Sequence, residues 1–380
     1  MAKHIIFCAD GTWNSPDTDA DHDDVPDLTN VFKLFSKLAG TDIPGSLRLK
    51  NEQERVLFRN GRTLQIAKYI HGVGDSDNKL VQLMGGAFGA GVVTRIVRGY
   101  TFISRNYQAG DKVVLLGFSR GAYTVRALSG LIASMGLLNR NSLNLTDKEL
   151  AYRAGSAAWY SYRRKSVGRK RSLRVLFAEV VADLPHFLTK APGPHDFISD
   201  IPIQAVAVWD TVGAMGIPEY NDEGQRRDVF KFANTKLSDQ VACGFHAVSR
   251  DEQRSLFGPT LWDLDARVKQ ILFAGAHADV GGGYPLADEQ SGLSDIALDW
   301  MMTQLKGKKV GLRFQQGYQA SLAKNSLAPA HAPWREKPWI YLTEPVPRSF
   351  PSTLRSHPSV TQRRGVQVEE FPGPISYTYQ

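Results

Sequence analysis

The sequence predicts an α/β fold in which helices cover both faces of a mainly parallel β-sheet. Short runs of β-favouring apolar residues alternate along the chain with stretches whose apolar residues recur at helical spacing, and this alternation is typical of parallel sheets. The chain has 380 residues, of which 42% are hydrophobic, so it can bury a large core. No stretch approaches about 18 consecutive apolar residues, so the sequence predicts no transmembrane helix.

Five strands and five helices are predicted in strict alternation. The strands are expected at residues 4–8, 66–71, 112–117, 203–209 and 269–274. The helices are expected at residues 28–39, 89–107, 121–136, 237–248 and 293–305. The first of these helices shows the signals clearly, because its apolar residues recur at helical spacing and the pattern stops at Gly40.

The same pattern predicts how the chain is divided. Residues 1–138 and 201–324 should form the core of the fold. Residues 139–200 break the alternation, so they are predicted to be an inserted cap or lid over the carboxyl edge of the sheet. Residues 325–380 are rich in Pro, Trp and Arg and show little periodicity, so we expect an irregular tail packed on the core.

The strand predicted at 112–117 leads into the sequence Gly-Phe-Ser-Arg-Gly at 117–121, and a predicted helix follows. In this setting the pattern is typical of a nucleophile elbow, whose glycines avoid clashes with the neighbouring backbone. The turn would hold the Ser119 hydroxyl at the sheet edge, beside the positive end of the helix dipole. Ser119 is therefore the candidate nucleophile. The alternative is a serine in a tight loop that binds phosphate through backbone amides.

Two later strands end at residues that could assist a serine nucleophile. Asp210 follows the strand at 203–209, and His277 begins a glycine-rich segment after the strand at 269–274. The carboxyl ends of parallel strands meet at one edge of the sheet, and the order Ser, Asp, His is that of α/β-hydrolases. We therefore predict that Ser119 attacks an ester carbonyl, that His277 is the general base, and that Asp210 orients the imidazole.

Other residues compete for two of these roles. His71 and His357 are alternative bases. Asp279, Asp183 and Asp10 are alternative carboxylates, although Asp10, at the end of the first strand, is better suited to support a loop by hydrogen bonds.

An oxyanion hole is expected to use two backbone N–H groups. One belongs to Arg120, the residue after the nucleophile. The other should come from Gly11 or Thr12 in the turn after the first strand.

Two further function classes remain open at this stage. Asp10, Asp210, His277 and Asp279 could together form the centre of a metal-dependent phosphohydrolase, since all four are predicted near one sheet edge. Alternatively, the chain could be a non-catalytic module that binds a partner protein. The serine hydrolase is favoured, and it requires no metal or cofactor.

The net charge is +8, and a dense run of basic residues lies in one segment of the predicted insertion, at residues 163–174. This segment could contact an anionic membrane or phospholipid, or it could be a solvated loop. Its candidate surface residues are Arg163, Arg164, Lys165, Arg169, Lys170 and Arg171. No motif for nucleic-acid binding is present.

The cysteine content and the first residues bear on the compartment. Cys8 lies in a predicted strand and Cys243 in a predicted helix, a pattern that favours structural thiols in a reducing compartment. The apolar run near the start is predicted to be a strand and not a signal peptide. We therefore expect a cytoplasmic protein, or one exported without a cleavable signal.

Several motifs of the chain occur together in a known family. They lie at residues 7–14, 30–31, 71–74, 117–122, 209–213, 251–254 and 277–284. With them, residues 3–305 resemble an α/β-hydrolase family catalogued as a domain of unknown function, which includes phospholipase effectors of bacterial type VI secretion. The resemblance implies a phospholipid ester substrate, a triad at Ser119, Asp210 and His277, and a secretion or immunity partner. The effectors are usually longer and carry membrane-anchoring modules, so the catalytic class transfers better than the substrate.

Overall fold

A computed structural model describes residues 2–11, 25–47, 52–72, 87–166, 192–213, 219–220, 226–227, 235–342, 344–373 and 375–380. The strands in these ranges are β1 (His4–Ala9), β2 (Thr41–Asp42), β3 (Glu52–Arg59), β4 (Arg62–Ile70), β5 (Lys112–Phe118), β6 (Leu137–Leu138), β7 (Phe197–Ile198), β8 (Ile203–Trp209), β9 (Glu219–Tyr220), β10 (Arg226–Arg227), β11 (Gly244–Ser249), β12 (Val268–Phe273), β13 (Ala330–His331), β14 (Arg355–Ser356), β15 (Gln367–Phe371) and β16 (Ile375–Thr378). The helices are α1 (Asn30–Lys37), α2 (Pro44–Leu47), α3 (Ala87–Asn106), α4 (Arg120–Met135), α5 (Lys148–Ser166), α6 (His277–Gly281), α7 (Gly292–Lys306), α8 (Trp339–Leu342) and α9 (Pro358–Arg363).

Nine of the described strands form one sheet, in the order β14-β12-β11-β8-β5-β1-β4-β3-β2. Every pair from β14 to β4 is parallel, and β3 and β2 extend the sheet in antiparallel fashion. The prediction of a mainly parallel sheet is therefore confirmed. Because parallel strands end at the same edge, the residues that follow β12, β8, β5 and β1 lie along one side of the molecule.

Both faces of the sheet are covered by helices, as predicted. Strand β1 shows the division, because Ile5 and Phe7 pack into one hydrophobic cluster and Ile6 and Cys8 into another. Helices α3 and α4 supply the first cluster, and α1 and α7 supply the second. No described helix is both long and apolar enough to span a membrane.

The prediction of a helix over residues 237–248 is wrong, because Gly244–Ser249 form β11 between β8 and β12. All six residues of this strand are buried. A short apolar run that is covered on both faces lacks the alternation of a half-exposed strand, so periodicity cannot separate it from a buried helix. Cys243 precedes this strand, and both Cys8 and Cys243 are buried free thiols.

The described part of the predicted insertion forms a helical layer on one face of the sheet. Strands β6 and β7 pair in antiparallel fashion at its base. Helix α5 packs against α3 and α4. Gly155 makes the contact close, because a Cβ there would lie 2.8 Å from Thr101 Cγ2. Residues 167–191 of the predicted cap lie outside the described residues, so the cap over the carboxyl edge stays a prediction.

The C-terminal segment 325–380 is not irregular, contrary to the prediction. Strands β13, β15 and β16 form a small sheet of their own, and β14 joins the main sheet beside β12. Val360 and Val368 of this segment are buried in one cluster with Ala274 and Leu293. These strands have two to five residues each, which is too short for an alternating pattern to show.

Candidate active site

Ser119 lies in the sharp turn between β5 and α4. Its backbone adopts φ 56° and ψ −121°, a combination that residues with a Cβ rarely adopt and that costs about 1–3 kcal/mol. Its N–H donates to the Trp209 carbonyl of β8 at 3.1 Å, which ties the turn to the adjacent strand. The turn therefore has the strained strand-to-helix conformation expected of a nucleophile elbow.

Two glycines allow other backbone segments to approach this turn. A Cβ on Gly117 would lie 2.4 Å from the carbonyl oxygen of Gly121. A Cβ on Gly121 would lie 2.1 Å from the carbonyl oxygen of Ala9 and 2.5 Å from that of Asp10. Gly117 thus allows the turn to close tightly on itself, and Gly121 allows the turn to pack against the end of β1.

Asp210 and His277 form a buried pair at the same edge. Asp210 follows β8, the neighbour of β5, and His277 opens α6 after β12. The distance between Asp210 Oδ2 and His277 Nδ1 is 2.6 Å. An ionised carboxylate only accepts hydrogen bonds, so it selects the tautomer with the proton on Nδ1. Nε2 is then the basic nitrogen, and it is buried without a hydrogen-bond partner among the described residues.

Aromatic rings hold the imidazole of His277 on two sides. The ring of Phe118, the residue before the nucleophile, has its centroid 4.6 Å away, and Phe257 packs edge-on at 5.0 Å. Gly281 leaves space for Phe118, because a Cβ there would overlap its ring. Burial lowers the pKa of His277 below its ordinary value, although the contact with Asp210 opposes this effect. The imidazole is therefore neutral at neutral pH, as a general base must be.

Asp210 is ionised in spite of its burial. Burial acts to raise the pKa of its carboxyl, but the Arg348 guanidinium and the hydrogen bond from His277 hold that pKa well below the usual range. Arg348 Nη1 and Nη2 donate to Oδ1 and Oδ2 at 2.8 and 2.9 Å. The Ser249 N–H donates to Oδ1 at 2.9 Å.

Glu252 and Arg254 support His277 from the segment after β11. The main-chain N–H of His277 donates to Glu252 Oε2 at 3.1 Å. Glu252 also accepts from the Arg254 side chain at 2.7 and 2.8 Å. The Arg254 guanidinium lies 3.7 Å from the centroid of Phe257 and 4.8 Å from that of Trp339. This ion pair fixes both the backbone of His277 and the Phe257 ring that covers its imidazole.

Asp279 is fully buried and is bound by other groups. Its Oδ2 accepts the N–H groups of Ala276 at 2.8 Å and His331 at 2.9 Å, and its Oδ1 lies 2.6 Å from His331 Nδ1. Asp279 therefore holds the start of α6, while Asp210 is the carboxylate on the His277 ring.

Asp10 supports the end of β1, as the sequence suggests. Its carboxylate accepts from Gly11 N–H at 2.7 Å, Thr29 Oγ1 at 2.6 Å and Tyr69 Oη at 2.7 Å. Burial raises the pKa of Asp10 to about 6, and these hydrogen bonds limit the rise. The N–H of Gly11, a candidate oxyanion donor, is thus engaged by Asp10. Thr12 lies outside the described residues.

The four residues of the alternative metal centre are not arranged as ligands of one ion. Asp10, Asp210 and Asp279 bind separate sets of donors, which include Tyr69, Arg348 and His331 respectively. Within the described ranges, no group of three or more His, Cys, Asp and Glu side chains could hold a metal ion.

The family of the chain is decided by comparison with known sequences. Residues 3–304 match the family described as "T6SS, Phospholipase effector Tle1-like, catalytic domain", where T6SS is the type VI secretion system. The chain belongs to this family. The resemblance seen in the sequence is therefore confirmed, and membership in the Tle1-like family supports a phospholipase- or lipase-like hydrolase.

Individual proteins similar to this Tle1-like chain are more distant. An uncharacterized protein of Saccharomyces cerevisiae, YEL023C, is 24% identical over 268 residues, which are 67% of this chain and 32% of that protein. A crystal structure of an uncharacterized protein from Pseudomonas aeruginosa is 16% identical, covers 84% of this chain and 47% of its own, and has a TM-score of 0.43. A structure of the Tle1 effector bound to the VgrG spike is also 16% identical. It covers 75% of this chain and 51% of its own, and its TM-score is 0.39. The chain thus spans about a third of the yeast relative and about half of each solved chain.

The predicted basic surface is described only in part. Arg163 is buried, with its guanidinium over the Trp159 ring, so it does not belong to an exposed surface. Arg164 and Lys165 are exposed. The remaining predicted surface residues Arg169, Lys170 and Arg171 lie outside the described residues.

The rival residues lie apart from the Asp210–His277 pair or outside the description. His357 stacks on Phe273 and caps α9 through its side chain. The carbonyl of His71 accepts from the Arg95 side chain at 2.7 Å. Asp183 lies outside the described residues.

The sequence-based prediction does not include two residues that contact the predicted site. Both lie beyond residues 3–304, which match the Tle1-like family. Arg348 binds Asp210, and His331 binds Asp279. Arg348 stands in a proline-rich stretch, and His331 lies in a strand of two residues. Neither position carries a local pattern that links it to the motifs.

Proposed function

We propose that the chain hydrolyses a carboxylic ester of a phospholipid through Ser119, His277 and Asp210. The observation that carries this proposal is the 2.6 Å contact between the buried Asp210 and His277, at the sheet edge where the strained turn presents Ser119. The sheet supports the arrangement, because β5 and β8 are paired up to Phe118 and Trp209, the residues just before the serine and the aspartate.

In the first half of the proposed reaction, Ser119 Oγ attacks the ester carbonyl carbon and its proton passes to His277 Nε2. Asp210 stabilises the imidazolium that forms. The tetrahedral intermediate then collapses as the leaving alcohol takes the proton from Nε2, and an acyl-serine remains. Water, deprotonated by the same nitrogen, attacks the acyl carbon, and the fatty acid leaves as Ser119 Oγ takes the proton back from Nε2.

Backbone N–H groups should stabilise the oxyanion of the tetrahedral intermediate. Arg120 begins α4, and an α-helix contains no acceptor for the N–H groups of its first turn. The second donor is assigned to Gly11 or Thr12 after β1. Gly11 could contribute only if its N–H leaves Asp10 Oδ1 or is shared with it.

A phospholipid is the favoured substrate because of the family description and the charge near the elbow. Burial, with a contribution from Arg95, lowers the pKa of the Arg120 guanidinium only to about 9, so it remains cationic at neutral pH. A cation next to the nucleophile favours a substrate with a phosphate group. Exposed Arg164 and Lys165 could add contact with an anionic membrane.

A fluorophosphonate probe tests the nucleophile directly. It should form one adduct, at Ser119, because attack on phosphorus displaces fluoride and leaves a stable phosphoryl-serine. Ser119→Ala should abolish both labelling and phospholipid hydrolysis, whereas Ser129→Ala, at another buried serine of α4, should preserve both. An active Ser119→Ala variant that loses activity with a chelator would instead support the metal-dependent phosphohydrolase. A folded protein with neither activity nor labelling would support the partner-binding module.

Vesicles test the substrate class. Fatty acid should be released from vesicles that contain an anionic phospholipid, and release should exceed that from a soluble short-chain ester. Arg164→Gln with Lys165→Gln should weaken vesicle binding. Lys308→Gln, at an exposed lysine in the turn after α7, is the control. Equal binding of all three proteins would contradict the membrane contact.

Family membership also supports a role as a type VI secretion effector, with a partner in the secretion apparatus. Release of the protein from producing cells should then depend on a functional apparatus. Equal release without the apparatus would count against this role.

A further inference from the structure

We propose that Arg348 is a positioning residue for the reaction, which fixes the carboxylate of Asp210 and sets the basicity of His277. This inference rests on the proposed function of the triad. It assigns a role in the catalytic centre to the C-terminal segment, which lies beyond residues 3–304 of the Tle1-like match.

The contact between Arg348 and Asp210 has two points and is almost fully buried. Nη1 donates to Oδ1 and Nη2 donates to Oδ2, and the two side chains are 5% and 0% exposed. A planar guanidinium that meets both oxygens of a carboxylate allows one orientation of the carboxylate plane, which a single hydrogen bond does not.

Arg348 also binds the segments on either side of Asp210. Nη1 donates to the carbonyl of Ser249 at the end of β11, and Nη2 donates to the carbonyl of Phe257. The ring of Phe257 packs on His277. One guanidinium therefore connects the orienting carboxylate, the neighbouring strand and the aromatic wall of the imidazole.

Each oxygen of Asp210 thus accepts from two donors. Oδ1 accepts from Arg348 and from the N–H of Ser249, while Oδ2 accepts from Arg348 and from His277. With the carboxylate held in this way, the direction of the bond to Nδ1 is fixed, and so is the direction in which Nε2 points. Loss of Arg348 would leave the carboxylate held by one donor on each oxygen, the Ser249 N–H and His277, and so less firmly oriented.

The charge of Arg348 has a separate consequence for basicity. Among the described residues, the charged groups around the His277 ring include Asp210, Glu252 and Arg254, with Arg348 bound to Asp210. Arg348 offsets part of the negative charge of Asp210, so Asp210 stabilises the imidazolium less than an unpaired carboxylate would. Removal of this cation should therefore raise the pKa of His277.

The experiment compares Arg348→Met, Arg348→Lys and an exposed control on the same segment, Arg364→Met. Arg348→Met should lower kcat about 10²-fold, because the base is misplaced. In the plot of kcat/KM against pH, the midpoint of the acid limb should rise by about one pH unit. Arg348→Lys keeps the charge but not the planar fork, so kcat should fall about tenfold while the limb stays in place. Arg364→Met should match the wild type in both measurements.

The outcomes separate this role from the proposed function. If a fluorophosphonate labels Ser119 equally fast in the wild type and in Arg348→Met, and the pH profile does not move, the role of Arg348 is overturned while the triad stands. If wild-type Ser119 is not labelled, the triad fails and the role of Arg348 fails with it. Should Arg348→Met not fold by circular dichroism, Arg348→Lys decides, because an unchanged kcat in that variant also overturns the role.

Discussion

Asp279 Oδ1 lies 2.6 Å from His331 Nδ1, so the short helix that begins at His277 contributes one member to a second buried Asp–His pair. His331 comes from β13 in the C-terminal segment. Its ring stacks on Tyr284, with centroids 3.4 Å apart, and its Nε2 faces Gln290 Oε1 at 3.1 Å. Both nitrogens of this imidazole are therefore occupied, whereas His277 Nε2 has no hydrogen-bond partner among the described residues. This contrast supports the proposed assignment of His277 as the base and indicates a structural role for His331.

Replacement of Asp210 and of Asp279 by asparagine should distinguish the role of each aspartate. Asp210→Asn should lower kcat about 10⁴-fold, because the amide disfavours the tautomer that leaves Nε2 basic. Asp279→Asn should weaken the clamp and lower the free energy of unfolding by about 3 kcal/mol, while the folded fraction keeps kcat within about tenfold. Steady-state kinetics and urea unfolding of the two variants check this. A loss of kcat as large in Asp279→Asn as in Asp210→Asn would contradict the assignment.

The conformation of the elbow predicts an unusual stability order at position 119. Ser119 has φ 56° and ψ −121°, which glycine adopts without a steric penalty. Ser119→Gly should therefore be more stable than Ser119→Ala by about 1 kcal/mol, although both lose the nucleophile. Urea unfolding of the two inactive variants measures the difference. In the control pair Ser129→Gly and Ser129→Ala, inside α4, the alanine variant should be the more stable.

The main features of the fold and the triad candidates could be predicted because each has a local signature. The strands before Ser119 and Asp210 are apolar runs with sharp ends, and parallel pairing then brings their ends together. The glycines near Ser119 and His277 mark close approach of backbone, which a sequence records directly. Strand β11 was mistaken for a helix because full burial removes the alternation on which that distinction depends.

The residues that support the candidate triad could not be predicted in the same way. Arg348 and His331 reach the site from the C-terminal segment, and their contacts with Asp210 and Asp279 span 138 and 52 positions. Such pairs depend on how the segment packs on the core, which no local pattern encodes. Arg163 shows the opposite error, since a basic run suggests exposure, yet its side chain packs on Trp159.

The pH dependence of kcat/KM should report the lowered pKa of His277. Because burial lowers that pKa, the base stays neutral to lower pH than an ordinary histidine does, and the acid limb should have its midpoint below pH 6.5. Asp10, whose pKa is raised to about 6, could produce a limb in the same region. The Asp10→Asn variant distinguishes the titration of His277 from that of Asp10. If His277 is responsible, the acid limb of this variant should have the same midpoint as that of the wild type. A midpoint above 6.5, or a limb that vanishes in Asp10→Asn, would contradict the assignment to His277.

Asp10 should instead be visible in the pH dependence of stability. Its pKa in the folded protein, about 6, lies above the ordinary value of 3.8, so the folded state binds the proton more tightly than the unfolded state. This contribution to stability is complete below pH 3.8 and is lost as the pH rises through about 6. A shift of about two pKa units corresponds to roughly 3 kcal/mol.

The difference between wild type and Asp10→Asn isolates this contribution, because asparagine does not titrate. Urea unfolding at about pH 4.5 and about pH 7.5 should show the wild type losing stability relative to Asp10→Asn as the pH rises, since ionisation places a charge in a fully buried position. Asp239→Asn, at a solvent-exposed carboxylate, should show no such change relative to the wild type. A difference between wild type and Asp10→Asn that is constant with pH, or that grows in favour of the wild type, would mean that the hydrogen bonds from Thr29, Tyr69 and Gly11 outweigh the cost of burial and keep the carboxylate ionised throughout.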